Sequence, residues 1–330
     1  MTRAIRIEKT GGPEVMSFQD IALKPPGEGE VRVRHAAIGV NFIDIYHRTG
    51  LYKVPLPSGL GMEAAGVVES AGPNVTRFRA GDRIAYASGP IGAYSEEANV
   101  VANRAVKIPE GVSDELAAAI LLKGLTAHYL LRRTYRVKQG DMILYHAAAG
   151  GVGMIAVQWA RSLGATVIGT VGNDNKVPLA QRLGCHHVIV SSRENIASRV
   201  REITGGKGVP VVYDSVGRDT FMASLDSLAP LGLFVSFGNA SGPVPPFDAS
   251  ILAQKGSLFF TRPTLMNYVS TPEELDVAAG ELFDLVARGV VRKNDPKRFA
   301  LSQAAEAHRA LESRQTTGSL VLIPDGTSRG

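Results

Sequence analysis

Residues 143–153 read Ile-Leu-Tyr-His-Ala-Ala-Ala-Gly-Gly-Val-Gly, and this run constrains the fold more than any other in the chain. Its apolar start reads as a buried strand, and its glycine cluster opens a helix. Val152, Ile155, Ala156, Trp159 and Leu163 recur at i, i+3, i+4, i+7 and i+11, which predicts a helix with one face on a sheet. In the fingerprint GxGxxG the middle glycine lets backbone approach a pyrophosphate, and the last lets helix and strand pack closely. The three positions here are Ala148, Gly150 and Gly153, so the first is not glycine. A strand before, a helix after and a second strand over 166–171 supply the missing context. The segment therefore predicts a dinucleotide site, the alternative being a glycine-rich turn that holds nothing.

Around this unit the chain alternates. Strands are expected at 143–147, 166–171, 187–190, 209–213 and 233–237, with helices at 114–132, 151–163, 176–183, 195–203 and 220–228. That alternation means a doubly wound parallel sheet with helices on both faces, an α/β Rossmann architecture. The first ~120 residues differ, with short strands at 3–7, 30–38, 66–70, 83–86 and 100–106 separated by turns such as Gly11-Gly12-Pro13 and Gly72-Pro73-Asn74. They predict a partly open, barrel-like β domain. Helices at 272–288 and 303–312 and a strand at 319–323 close the chain. At 330 residues two domains are expected: 1–122 with 263–330, and 123–262.

Apolar residues at 45% and charged residues at 20% suit a globular enzyme. No apolar run approaches the ~18–20 residues that span a bilayer, so membrane insertion is not expected. The N-terminus alternates like a strand rather than a signal peptide, and the lone Cys185 fits a reducing cytoplasm. The net charge of +5 is dispersed; its densest cluster is Arg132, Arg133, Arg136 and Lys138. That is sparser than a nucleic-acid-tracking stripe and argues against specific nucleic-acid binding.

The strand at 166–171 ends in Gly172-Asn173-Asp174-Asn175-Lys176. NAD sites place an acid at such a strand end to bond the ribose hydroxyls. Glycine stands there instead, so no carboxylate repels a 2′-phosphate, and Lys176 follows to meet it. NADPH is the expected cofactor. Asp174 works against this reading, and Lys176 as an ordinary solvated residue is the plainer one.

Several further motifs run the length of the chain: Gly39-Val40-Asn41-Phe42-Ile43-Asp44 followed by Tyr46, Arg48, Gly50 and Tyr52; residues 56–66 from Leu56 to Gly66; Lys123-Gly124-Leu125-Thr126; residues 213–220 from Tyr213 to Thr220; Val235-Ser236-Phe237-Gly238-Asn239; and Thr261-Arg262-Pro263. Together with residues 146–153 they resemble the zeta-crystallin-like NADPH:quinone oxidoreductases, a zinc-free branch of the medium-chain dehydrogenase/reductase superfamily. The resemblance implies a GroES-like β domain. It implies that Asn41, Thr126, Tyr129, Gly150, Gly151, Val152, Gly153, Gly172, Asn173, Lys176, Ser191, Phe237, Asn239 and Arg314 bind the cofactor. Tyr46, Tyr52 and Arg262 would line the pocket over the nicotinamide, in a cleft between the domains. Two positions depart from the family. Ser191 stands where a tyrosine often flanks the adenosine phosphate, which shifts weight to Lys176 with help from Ser191 or Arg193. The zinc enzymes' Gly-His-Glu and the branch's Gly-Thr-Glu both read Gly61-Met62-Glu63 here.

No Ser/His/Asp or Cys/His nucleophile set emerges, and hydride transfer needs none, because the cofactor carries the chemistry. Tyr46, Tyr52 and Arg262 would stabilise negative charge on a reduced quinone and relay a proton. Each has a plainer alternative. The tyrosines, expected in a loop with apolar neighbours, could be packing residues, and Arg262, expected on the segment returning to the β domain, a hinge ion pair. Asp44 and Glu63 are expected to hold loops or reach the ribose indirectly rather than transfer protons. Asp214 either meets ligand or bonds its own turn, and Cys185 is expected to be inert. Quinones, or another small electrophile such as an enone or enal, are the expected substrates. A cofactor-binding structural or RNA-binding protein is the non-enzymatic alternative. A homodimer is expected as the commonest assembly. With one cysteine and Met62 at the histidine position, a three-ligand zinc site is not expected. Elemental analysis of purified protein should find no stoichiometric zinc, and chelators should leave activity unchanged; one tightly held zinc per chain overturns the expectation.

Overall fold

The long alternating strand at residues 30–40, buried at nearly every second position, is the spine of the first half of the chain. The computed structural model describes residues 1–292, 295–313 and 318–326. Its elements in chain order begin β1 (Thr2–Ile7), β2 (Met16–Ile21), β3 (Glu30–Val40), α1 (Phe42–Thr49), β4 (Ser58–Gly59), β5 (Ala64–Ala71), β6 (Arg83–Tyr86), β7 (Glu97–Val101), β8 (Ala105–Lys107) and α2 (Asp114–His128). They continue β9 (Met142–Tyr145), α3 (Gly151–Ser162), β10 (Thr166–Val171), α4 (Val177–Leu183), β11 (His187–Val190), α5 (Ile196–Ile203), β12 (Val209–Asp214), α6 (Phe221–Ser227) and β13 (Leu228–Ser236). The last are α7 (Ser250–Gln254), β14 (Phe259–Thr261), α8 (Pro272–Ala287), β15 (Lys297–Ala300), α9 (Ala304–Glu312) and β16 (Leu320–Ile323).

The chain divides into two units, Met1–Lys123 with Val269–Phe283 and Asn294–Gly330, and Gly124–Tyr268 with Asp284–Lys293. Two of the four crossings fall inside α2 and α8, and Pro263–Tyr268, assigned to the β domain from sequence, group with the second unit.

In the first unit the sheet order is β15-β16-β3-β5-β6-β8, with β7 also on β3, beside a smaller β2-β1-β4 sheet. All its pairings are antiparallel except β15 with β16. The expected strand over 100–106 is instead two, because a 3-10 turn at Ala102–Arg104 hands the chain from β3 to β6. Apolar side chains including Ile5, Ile7, Val33, Ile38, Leu60, Ile84, Leu320 and Leu322 form the core. The second unit is one parallel sheet in the order β11-β10-β9-β12-β13-β14. Starting from β9 as the first strand, this is the 3-2-1-4-5-6 order of a dinucleotide fold, reversing between β9 and β12. Leu144, Ile168, Ile189, Val212 and Phe234 fill its core, as expected of strands buried on both faces.

Two short helices, α1 and α7, went unforeseen, and α1 bears on the site. α1 follows Asn41, forms a capping box with Asp44 and ends at Gly50 with φ +81. Asn at the N-cap, an acid three residues on and a left-handed glycine after the last turn are start and stop signals that the short helix carries in its sequence. Tyr46 therefore lies on a helix, not in a loop. α1 is held from below by a buried chain of polar groups. Arg48, 1% exposed, donates to both Glu312 oxygens (2.6 and 3.1 Å) and to His308 Nδ1 (3.1 Å). His308 Nε2–H then donates to Tyr94 Oη (3.0 Å), and the Tyr94 hydroxyl donates to Asp44 Oδ2 (2.9 Å).

Burial sets the acid response of this unit. Burial, and then the Arg48 charge, push His308 down to about 3, and burial pushes His35 down to about 4. Both are neutral when folded, so the unfolded chain takes up their protons first as pH falls below about 6.5. Their stabilisation is complete above that pH and is lost as pH falls toward about 4 for His35 and about 3 for His308. Each is worth on the order of 3–5 kcal/mol. Asp44, pushed up to about 7 by burial, opposes them: it keeps its proton when folded, so its contribution falls as pH rises from about 4 to about 7. Two histidines outweigh one carboxyl, and the urea midpoint should fall from pH 7 to about 4.5. Asp44→Asn, which keeps the acceptor and removes the opposing titration, should steepen that fall; a flat or rising midpoint in the unmodified protein overturns this account.

Candidate functional site

β9 ends at Tyr145, and the chain turns through His146–Gly150 into α3. Ala147 takes φ +52, a left-handed conformation that costs a non-glycine residue about 1 kcal/mol. The fingerprint's alanine, Ala148, is fully buried with φ in the ordinary range, so the missing first glycine is not where the turn needs one. Gly150 is the N-cap of α3, and its N–H bonds Ala147 O at 2.8 Å. A Cβ on Gly153 would lie 2.5 Å from Ala147 O and 2.6 Å from Ala148 O. The helix therefore sits directly on the turn, which requires glycine at 153. The first-turn N–H groups of Gly151, Val152 and Gly153 lie at the positive end of a twelve-residue helix, the arrangement that binds a pyrophosphate. Contrary to the one-face reading of α3, Val152 is only half-buried, while Met154 and Val157 are buried with Ile155, Ala156 and Trp159.

At the end of β10, Gly172 has open space where a side chain would stand, and Asn173 and Asp174 are exposed. Lys176, half-buried, is the N-cap of α4. Arg193 donates to Asp174 through Nε (3.2 Å) and Nη2 (2.8 Å). That pair neutralises the carboxylate that threatened phosphate binding, and it ties up the guanidinium expected to help Lys176. The Ser191 hydroxyl donates to Val171 O (3.2 Å), though the side chain remains exposed. Phe237 N–H bonds Asp214 O beyond β13, with Asn239 two residues on. Thr126 is on α2. Tyr129, in the wide π turn Tyr129–Thr134 that prolongs α2, stacks on Tyr268 at 4.6 Å. Arg314 lies outside the described residues.

Asp214 bonds its own turn. Its Oδ1 accepts from Val216 and Gly217 N–H, and its Oδ2 accepts from the Thr220 and Ser224 hydroxyls. Arg262 is exposed and follows β14 in this same unit, not on a segment returning to the β domain; its Nη1 donates to Ser236 O at 2.9 Å. Cys185 is buried, and burial pushes its thiol up to about 12, which leaves it unreactive.

In the first unit, Asn41 Nδ2 donates to Glu63 Oε2 (2.8 Å), whose other oxygen accepts from Leu122 N–H (2.7 Å). The Lys123 ammonium stands 3.5 Å from the same carboxylate. Glu63 thus anchors the start of α1. Tyr46 and Tyr52 are half-buried with rings edge-on at 5.2 Å, and Tyr52 N–H bonds Tyr46 O. Among the described residues no group of three or more His, Cys, Asp or Glu side chains is arranged to hold a metal ion. Met62 cannot replace a histidine here, Glu63 is spent on its three donors, and the ring nitrogens of His35, His146 and His308 are engaged within their own units. These donors do not fit zinc.

A parallel sheet in this strand order, with a glycine turn aimed at its first helix and an antiparallel unit before it, defines a medium-chain, nicotinamide-dinucleotide oxidoreductase. Residues 27–110 match the alcohol dehydrogenase GroES-like domain family, and residues 151–276 the zinc-binding dehydrogenase family. The chain is 55% identical to a quinone oxidoreductase of Pseudomonas aeruginosa, over 98% of this chain and all of that protein. The structure of an Escherichia coli quinone oxidoreductase complexed with NADPH, 51% identical, superposes with a TM-score of 0.96 over 98% of this chain and all of that one. A 2-haloacrylate reductase of Burkholderia is 48% identical over 98% of this chain and 99% of its own. The chain belongs to the quinone oxidoreductases of the medium-chain dehydrogenase/reductase superfamily.

Lys176→Ala should weaken NADPH by roughly ten- to a hundredfold, the loss of one charge-assisted contact, and leave NADH nearly untouched. Gly172→Asp, in open space, should favour NADH. Equal loss of both cofactors in Lys176→Ala, measured by titration of protein fluorescence, would assign the lysine to structure instead.

Proposed function

We propose that this protein reduces quinones with NADPH and without a metal. The observation that carries the reading is the end of β10: open space at Gly172, an Asp174 already paired with Arg193, and a cation at Lys176. Relatives named quinone oxidoreductase at 51–55% identity over 98% of the chain, and a 51% identical quinone oxidoreductase solved with NADPH, support it. When bound, NADPH supplies a hydride. The chain's own groups then hold and orient: the α3 N–H groups take the pyrophosphate, and Lys176 takes the 2′-phosphate. Asn41, Thr126, Tyr129, Phe237 and Asn239 complete the cofactor set. Tyr46 and Tyr52 donate hydrogen bonds or a proton to the reduced oxygen, and Arg262 stabilises negative charge there.

A second reading, reduction of an activated alkene, is favoured by the 2-haloacrylate reductase at 48% identity. The same cofactor site would serve, with hydride delivered to carbon. A symmetric dimer in the cytoplasm completes the proposal. β14 ends the parallel sheet, and Phe259 and Leu231 beside it are exposed, a surface that pairing with a second copy would cover.

Loss of NADPH absorbance with a panel of quinones and enones tests the reading: quinones should be the better substrates, and enones alone would select the second one. Tyr52→Phe should cost less than about tenfold in kcat/KM because other donors remain, and Arg262→Ala should cost more because it removes a charge where charge develops. Cofactor affinity should stay within about threefold in both. Loss of NADPH binding in Arg262→Ala would move that arginine out of the substrate site.

A further inference from the structure

A buried chain of hydrogen bonds joins the Asp214 turn to the turn that opens α3, and none of its middle members faces solvent. Asp214 Oδ1 accepts two backbone N–H groups, and its Oδ2 accepts the Thr220 and Ser224 hydroxyls. Every proton along the chain follows from that arrangement. The Ser224 hydroxyl donates to Asp214 Oδ2 at 2.8 Å, so its lone pair faces His146 Nε2 at 3.0 Å and must accept Nε2–H. The neutral imidazole therefore has its lone pair on Nδ1, which accepts from the Thr170 hydroxyl at 3.1 Å. The Thr170 oxygen, its own proton committed, accepts the N–H of Ala147 at 3.2 Å. His146, Ser224 and Asp214 are fully buried and Thr170 is nearly so. Burial holds His146 below the usual histidine range, which keeps the ring neutral, and the Ser224 contact sets its tautomer.

The far end of the chain is the residue that needs support. Ala147 carries the left-handed φ of +52, its carbonyl accepts the Gly150 N–H that caps α3, and Gly153 rests against that same carbonyl. A shift at Ala147 therefore displaces the first turn of α3, whose N–H groups face the pyrophosphate in the reading proposed above.

We propose that Thr170, His146, Ser224 and Asp214 are positioning residues for dinucleotide binding: they hold the phosphate-binding turn through the Ala147 N–H without touching the ligand. This rests on the NADPH reading and adds to it a signature of its own. The pyrophosphate is common to NADPH and NADH, so a loosened turn weakens both equally, whereas loss of Lys176 weakens NADPH alone.

The test is fluorescence titration of both cofactors against unmodified protein, Thr170→Val and Thr170→Ser, with the unfolding midpoint of each measured in parallel. Thr170→Val keeps shape and removes the hydroxyl; it should weaken NADPH and NADH by the same factor, about five- to tenfold for one lost hydrogen bond. Thr170→Ser, which keeps the hydroxyl, should stay within about twofold of the unmodified protein. Ser224→Ala, which leaves the His146 N–H buried and unpaired, should weaken both cofactors at least as much. Unchanged affinity in folded Thr170→Val, whatever its unfolding midpoint, overturns the inference alone, as does a loss confined to NADPH. Failure of the unmodified protein to bind either dinucleotide overturns the NADPH reading and this inference with it.

Discussion

The second unit depends on one contact: the backbone of α3 at Gly153 against the carbonyls of Ala147 and Ala148. The helix can rest on the turn only because residue 153 has no side chain. That approach aims the helix N-terminus at the end of β9, where the strand order reverses and ligands bind in sheets of this type. The strain at Ala147 is the cost of turning so tightly with an alanine. Local hydrogen bonds, rather than a glycine, meet that cost here.

Buried carboxylates organise both units in the same way. Glu63 gathers an amide, a backbone N–H and an ammonium at the start of α1, Asp44 caps that helix, and Asp214 gathers two N–H groups and two hydroxyls. A carboxylate oxygen that already accepts an N–H fixes the direction of that donor, and each of these groups orients the donors around it. Such sites are expensive when incomplete and orienting when satisfied. In the proposed reading these carboxylates act on the cofactor and substrate groups indirectly, through α1 and through the α3 turn.

The proposed 2′-phosphate site lies at a different place, on the surface. The β10 end offers open space and one lysine, and the neighbouring Asp174 is neutralised by Arg193. Both partners of that pair are more than half exposed, so its contribution to stability is small. Its effect is on the sign of the local potential that a 2′-phosphate would meet.

The parallel sheet was legible in the sequence because its strands are apolar on both faces and its helices keep a 3.6-residue period; β10 and β11 fall at the expected residues. The glycine turn was legible too, since only glycine permits the close approach at 153. The α1 helix was missed although Asn41, Asp44 and Gly50 mark its ends, because eight residues carry too little periodicity to outweigh the turns around them. The short edge strands β14 and β15 were missed for the same reason, and Arg262 was placed on the wrong segment as a result. The sequence by itself determined the fold class, the position of the glycine turn and the glycine just past the β10 end, because each depends on residue type and spacing along the chain. Only the tertiary structure decided that Arg193 belongs to Asp174, that Glu63 serves Asn41, and that Thr170 and Ser224 join His146 to Asp214. Those pairings link residues up to 78 positions apart, and a hydroxyl or guanidinium acquires its direction only when folding brings an acceptor to it.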